Sequence, residues 1–177
     1  MITEDDIIWL AVAKDISRKS RCVRSQVACV VVGANGRIVA TGYNGAPAGF
    51  HPARRPIIHN MGDHDQYTEK PKCDSFCPRA MPGGEGDASV DYGNCVACHA
   101  EANAIAYSAR HDLEGATIYV TRMPCWDCCK LIANSGIIRV VAPQTVDEDK
   151  GRAIWTPEAI DQYREFLNAC DLDVVMV

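Results

Sequence analysis

Segments rich in β-branched residues alternate with segments of helical apolar spacing through the C-terminal half of this chain. The series is helix, strand, helix, strand, helix and strand, over about residues 99–110, 116–121, 125–134, 137–142, 157–169 and 172–177. Strands separated by helices need helices on both faces of their sheet, because both faces carry apolar side chains. The sequence therefore predicts an α/β fold.

The N-terminal part adds a helix and a strand hairpin. Thr3 is a predicted N-cap, with Asp6 three residues on. Apolar positions then recur with helical spacing up to about residue 18, at Ile7, Ile8, Leu10, Ala11 and Ile16. Segments 27–32 and 37–41 flank a turn with two glycines and predict a hairpin. Together these elements predict a three-layer α/β/α sandwich with a mixed five-stranded sheet, in a single domain spanning residues 1–177.

A long segment between the hairpin and residue 99 lacks apolar periodicity. From about residue 43 to 97 it is crowded with Gly, Pro, His, Asp and Arg. Loops of this length in compact domains are usually functional or held in place by something. Three cysteines, Cys73, Cys77 and Cys95, lie in this loop. A metal bound by these cysteines is therefore one candidate for holding the loop in place.

Two short motifs begin the predicted helices on either side of the strand at 116–121. The first is His99-Ala100-Glu101, and the second is Pro124-Cys125-Trp126-Asp127-Cys128. Zinc binds imidazole and thiolate ligands in a tetrahedron, and a catalytic zinc keeps three protein ligands and one open position. His99, Cys125 and Cys128 supply three ligands of these types. We therefore predict a catalytic zinc site.

Glu101 is the predicted catalytic residue. It follows His99 by two positions, which places its carboxylate near the metal without making it a ligand. A carboxylate there can take a proton from an activated water and pass it to a leaving group. His-x-Glu followed by Pro-Cys-x-x-Cys is typical of zinc-dependent nucleobase deaminases.

The chain resembles the deoxycytidylate branch of the cytidine and deoxycytidylate deaminase superfamily. Three segments show the resemblance: Thr41 to Pro47 (TGYNGAP), His99 to Ile105 (HAEANAI) and Tyr119 to Thr121 (YVT) leading into Pro124-Cys125. It implies a cytidine deaminase-like fold and an enzyme that hydrolyses deoxycytidine 5′-phosphate (dCMP) to dUMP and ammonia, feeding thymidylate synthesis.

The resemblance also implies roles for other residues and for partners. Asn44 would bind the sugar or base, the Ala100 backbone would contact the base, and Tyr119 would shape the pocket. Members of the family commonly form hexamers, with dCTP as an allosteric activator and dTTP as an inhibitor. The expectation therefore includes a homo-oligomer, a hexamer above all, and Mg²⁺ bound with a nucleoside triphosphate effector.

A second, structural zinc is also predicted. Some microbial and phage relatives hold one with residues before the first strand and in the long loop. Cys22, Cys73, Cys77 and Cys95 occupy comparable places here. Cys98 is the rival fourth ligand, because Cys95-x-x-Cys98 has better ligand spacing, but Cys98 adjoins His99.

Charge and cysteine usage limit the partners. The formal net charge is -5, from 23 acidic and 18 basic residues, which argues against nucleic acid or an anionic membrane as the main partner. The first residues lack the pattern of an export signal, and no long apolar run follows. We therefore expect a cytoplasmic protein whose ten cysteines are reduced.

Two alternatives remain open. The same chemistry suits a 5-modified dCMP, cytidine, or another cytosine or adenine substrate. A non-catalytic zinc-binding module would explain the cysteines differently, although such structural sites fill all four positions with protein ligands.

Overall fold

The structure is a computed structural model that describes residues 1–47, 95–143 and 157–177. Its helices are α1 (Glu4–Ser17), α2 (Ala100–Ala106), α3 (Arg110–Leu113), α4 (Trp126–Ser135) and α5 (Pro157–Ala169). Its strands are β1 (Ala28–Val32), β2 (Ile38–Tyr43), β3 (Thr117–Val120), β4 (Arg139–Ala142) and β5 (Asp173–Met176). Most of the predicted loop at 43–97 lies outside the described residues, and the single domain over 1–177 stays a prediction.

The five strands form one mixed sheet in the order β2-β1-β3-β4-β5. β1 pairs antiparallel with both β2 and β3, whereas β3, β4 and β5 run parallel. Antiparallel neighbours need only a hairpin, but parallel neighbours need a crossover, and α4 and α5 occupy the two crossovers. The predicted mixed five-stranded sheet is confirmed.

Alternate residues of the central strands pack against two different helix layers. On one face, Val30, Val32 and Tyr119 pack against α1. On the other face, strand residues such as Val31 and Ile118 pack with residues of α2, α4 and α5. Because side chains alternate across a strand, one sheet serves both layers. The predicted α/β/α sandwich is confirmed.

Two details of the predicted helices were wrong. Ile7 and Ile8 are 58% and 55% exposed, and the face of α1 that meets the sheet is formed by Trp9, Leu10, Ala13 and Ile16 instead. α2 ends at Ala106 and does not continue to residue 110, and the Ser108 hydroxyl donates to the Ala104 carbonyl at 2.7 Å where the helix stops. Ser competes for backbone groups in this way near helix ends.

The predicted cap of α1 is confirmed, and it contains a buried ion pair. Thr3 accepts a hydrogen bond from the Asp6 backbone, and the Asp6 carboxylate accepts one from the Thr3 backbone. Arg139 of β4 donates to both oxygens of Asp6, at 2.6 and 2.9 Å, and also donates to Asp173. The hydrogen bond from Arg139 holds the pKa of Asp6 well below its usual range.

We expect Asp6→Asn to lower the free energy of unfolding by about 2 kcal/mol at pH 7, since it leaves Arg139 only Asp173. The pKa of Asp6 is lower in the folded than in the unfolded chain, so the pair's contribution is complete above pH about 4 and declines as pH falls. Urea unfolding at pH 7 and pH 3 should therefore show a smaller difference at pH 3. Asp5→Asn, an exposed neighbour, is the matched control; an equal difference at both pH values would contradict this reading.

Gly42 of β2 lies directly under α2. A Cβ atom at this position would be 2.0 Å from the Ala100 carbonyl oxygen and 2.8 Å from the Ala104 backbone nitrogen. Both atoms belong to backbone, so neither can turn aside as a flexible side chain would. Glycine at position 42 therefore lets α2, which begins next to His99, approach the sheet closely.

We expect Gly42→Ala to lower the free energy of unfolding by about 3 kcal/mol, because the added methyl group must push α2 away from the sheet. The measurement is chemical unfolding followed by circular dichroism. Gly45→Ala is the control, since a Cβ there would meet nothing within 4 Å. Equal stability of the two variants would show that α2 does not need this close approach.

Within the described residues, none of the helices is long and apolar enough to cross a lipid bilayer.

Candidate metal centre

Two helix starts bring the predicted zinc ligands together. His99 is the N-cap residue of α2, and Cys125 is the N-cap residue of α4, with Cys128 in the first turn of α4. Both N-cap residues have extended backbone, at φ -71° and ψ 156° for His99 and φ -74° and ψ 168° for Cys125. A backbone bridge between Cys98 and Gly45 ties the residue before His99 to the end of β2.

The three side chains form a cluster of the size that zinc requires. The His99 Nδ1 atom is 3.3 Å from the Cys125 Sγ atom and 3.3 Å from the Cys128 Sγ atom. Tetrahedral zinc with ordinary bond lengths separates such ligand atoms by about 3.5 Å. Within the described residues, no other group of three or more His, Cys, Asp or Glu side chains is placed to hold a metal ion. The residues present therefore fit a zinc with three protein ligands and one open position.

The electrostatics of the cluster favour thiolate. Hydrogen bonds from the Cys128 thiol and then from His99 lower the pKa of Cys125 to about 4, although burial opposes this shift. The same pairing with Cys125, together with burial, raises the pKa of Cys128. The hydrogen bond to Cys125 raises the pKa of His99. The cluster thus holds a thiolate ready for a cation, and a bound metal deprotonates the second thiol.

Glu101 lies beside this cluster, inside the protein. Its side chain is on the first turn of α2, and the residue is 3% exposed. Burial raises the pKa of Glu101, and a hydrogen bond from its own backbone N–H, together with the nearby His99, partly offsets that rise. A buried carboxyl group next to an open metal position is suited to moving protons, because its neutral form costs little there.

Two of the predicted substrate-binding residues lie near the same end of the sheet. Ala100 is buried at the first position of α2, next to His99. Asn44 follows β2, and its side-chain amide accepts a hydrogen bond from the Val27 backbone at 2.9 Å and donates one to the Ser25 carbonyl at 2.8 Å. Asn44 thus joins the ends of β1 and β2.

Tyr119, the third predicted substrate-binding residue, does not lie with them. Its side chain is on the α1 face of the sheet, with its ring 6.5 Å from that of Trp9. Burial, followed by a hydrogen bond to Asp6, raises the pKa of Tyr119 to about 12. Its strand neighbours Ile118 and Val120 face α2, α4 and α5 instead, as alternation along a strand requires. The sheet therefore separates Tyr119 from the zinc ligands.

The predicted ligands of a second metal are only partly described. Cys22 and Cys95 are both half-buried, and Cys98, the rival ligand, is also half-buried. Cys73 and Cys77 lie outside the described residues.

Three contacts that support the site could not be read from the sequence. The Ser20 hydroxyl donates to the Asn44 carbonyl at 2.8 Å, and Arg122 donates to the Ser25 hydroxyl at 2.9 Å. Cys129 contacts the Cys125 carbonyl. No local spacing signals the contacts of Ser20 and Arg122, because their partners are 24 and 97 positions away in the chain.

A family comparison matches residues 3–144 of this chain to the cytidine and deoxycytidylate deaminase zinc-binding region. The matched range contains both motifs of the metal centre and more than half of the chain.

Two relatives and one solved structure point in the same direction. The chain is 44% identical over 142 residues to the deoxycytidylate deaminase of Mycobacterium phage D29, covering 78% of this chain and 94% of the relative. It is 38% identical over 152 residues to that of Enterobacteria phage T4, covering 80% of this chain and 78% of the relative. The dCMP deaminase of cyanophage S-TIM5 in complex with dCMP and dUMP has a TM-score of 0.64 and 26% identity, covering 100% of this chain and 99% of that one.

Proposed function

This chain belongs to the cytidine and deoxycytidylate deaminase zinc-binding family, and from that premise we propose that it hydrolyses dCMP to dUMP and ammonia. The observation that supports this most is the cluster of His99, Cys125 and Cys128 with a buried carboxyl group beside it. A structural zinc site has four protein ligands and does not require a carboxyl group at the position of Glu101. The named relatives support dCMP as the substrate.

His99, Cys125 and Cys128 would hold the zinc. When bound, zinc supplies an activated water at its open position, and this water is the nucleophile of the deaminase reaction. His99 and Cys125 are each half-buried, whereas Cys128 is buried.

Glu101 would move the protons of the reaction. Deamination requires a proton on the ring nitrogen N3 while C4 is attacked, and a second proton on the leaving amine. Glu101 takes a proton from the attacking water, gives it to N3, and then transfers the remaining proton to the amine. Burial of Glu101 keeps bulk water from competing for these protons.

Asn44 and Ala100 are the proposed substrate contacts. The side-chain amide of Asn44 has two N–H groups, and Ser25 takes one of them within the described residues. The other N–H group can serve a sugar hydroxyl or a base oxygen. Tyr119 lies on the α1 face of the sheet, apart from these two contacts.

The experiment compares turnover of dCMP, 5-methyl-dCMP, 5-hydroxymethyl-dCMP and cytidine by ultraviolet absorbance. We expect the highest kcat/KM for dCMP. Preference for a 5-substituted nucleotide would move the proposal to a modified dCMP, and preference for cytidine would exclude a nucleotide substrate. No turnover of any of the four by zinc-loaded protein would overturn the proposal.

A second zinc, held by Cys22, Cys73, Cys77 and Cys95, is a separate proposal. It is supported by the number and spacing of cysteines around the long loop. Elemental analysis that finds two zinc ions per chain would support it, and one per chain would contradict it.

Regulation, assembly and location are further proposals supported by membership of the family. We propose dCTP and dTTP as effectors, with Mg²⁺ bound to the triphosphate, and a homo-oligomer that is a hexamer. A cytoplasmic location agrees with the need to keep the ligands Cys125 and Cys128 reduced.

A further inference from the structure

A buried thiol lies in the first turn of α4, next to two of the zinc ligands. Cys129 follows the ligand Cys128, is 0% exposed, and faces the core side of α4. Its Sγ atom is 2.9 Å from the Cys125 carbonyl oxygen, and its backbone N–H donates to the same oxygen at 2.9 Å. The carbonyl of one zinc ligand is therefore held by both the backbone and the side chain of Cys129.

Tyr163 of α5 lies in the same buried cluster as this thiol. The residue is 1% exposed and belongs to the core that also contains Cys129. α5 therefore packs against the helix that carries two of the zinc ligands.

α5 also contacts the residue that follows Cys125. The Trp126 ring is edge-on to the rings of Tyr163 and Phe166, with centroids 6.0 and 5.3 Å away. Such edge-to-face pairs fix the orientation of neighbouring helices. α5 therefore contacts the start of α4 at the residue next to Cys125.

We propose that Cys129 is a positioning residue for the zinc ligand Cys125. Holding the Cys125 carbonyl fixes the extended backbone at this N-cap, and that backbone in turn sets the direction of its thiolate. Groups that orient a metal ligand typically change metal affinity by about 10- to 100-fold when removed. The inference rests on the proposed zinc site, but not on the identity of the substrate.

The test measures how fast zinc-loaded protein releases its metal to a chromophoric chelator. We expect Cys129→Ala to release the metal of the catalytic site about tenfold faster than the parent. Cys129→Ser, whose hydroxyl can donate to the same carbonyl, should restore slow release.

A variant elsewhere in α4 separates positioning from simple loss of stability. Ile132→Val, which removes a buried methyl group from the same helix, should lower stability without changing zinc release. Absorption of the cobalt-substituted protein should shift in Cys129→Ala and not in Ile132→Val.

Two outcomes would overturn the proposal: parent-like zinc release from Cys129→Ala, or failure of Cys129→Ser to restore slow release. If Cys129→Ala does not accumulate, Cys129→Val answers the same question, because it fills a similar volume and has no group that can donate to the carbonyl. The measurement needs no substrate, so absence of dCMP turnover would reject the proposed function and leave this result standing.

Discussion

Glu101→Gln is expected to lower kcat on dCMP by about a thousandfold or more while the protein keeps its zinc. Glutamine has nearly the shape of glutamate, so α2 and the cluster should stay in place. Its amide cannot take a proton from water at neutral pH, and both proton transfers of the reaction then lose their carrier. The measurement is turnover by ultraviolet absorbance, with zinc content determined on the same sample.

Glu114→Gln is the matched control for this prediction. Glu114 is exposed and pairs with Arg110 at the surface, so the same chemical change there should leave turnover at the parent value. If Glu101→Gln keeps a tenth or more of the parent activity, another group moves the protons and Glu101 loses its assigned role.

Cys128→Ala is expected to remove one zinc ion per chain and to reduce turnover to background, by at least about a thousandfold. Two remaining protein ligands hold zinc too weakly, and without the metal no water near Glu101 is activated. The measurement is elemental analysis after dialysis, followed by the dCMP assay. Circular dichroism should show the helices and strands retained, since the sheet and its packed core do not depend on this thiol.

Cys170→Ala provides the comparison for thiol loss. Cys170 is exposed, beyond the end of α5, and should give full zinc content and full activity when replaced. Full zinc content in Cys128→Ala would show that the metal is held elsewhere, and the cluster at the two helix starts would then have another purpose.

Most of the fold could be predicted because each element has a strong local pattern. The alternation of helices and β-branched strands is a property of short segments, and the two motifs mark the starts of α2 and α4. In α1, however, the local pattern does not predict which side chains face the sheet. Ile7 and Ile8 are apolar but face outward, because Asp6 must face inward to meet Arg139, and nothing in the helical spacing reveals a partner 133 positions away.

The metal centre was predictable for the same reason, and its surroundings were not. His99, Glu101, Cys125 and Cys128 are identified by residue type and spacing. The resemblance implies a pocket role for Tyr119, whereas strand alternation at β3 turns its side chain toward α1. The ring contacts of Trp126 with Tyr163 and Phe166 depend on how α5 packs on α4, which local patterns do not specify.

The most direct measurement of the central claim is dCMP turnover by one preparation before zinc removal, after it, and after zinc is returned. We predict full activity with at least one zinc per chain, loss of activity with a strong chelator, and recovery when zinc is added back. Undiminished turnover by protein shown to be free of zinc, or no turnover by protein shown to be loaded with it, would contradict the account.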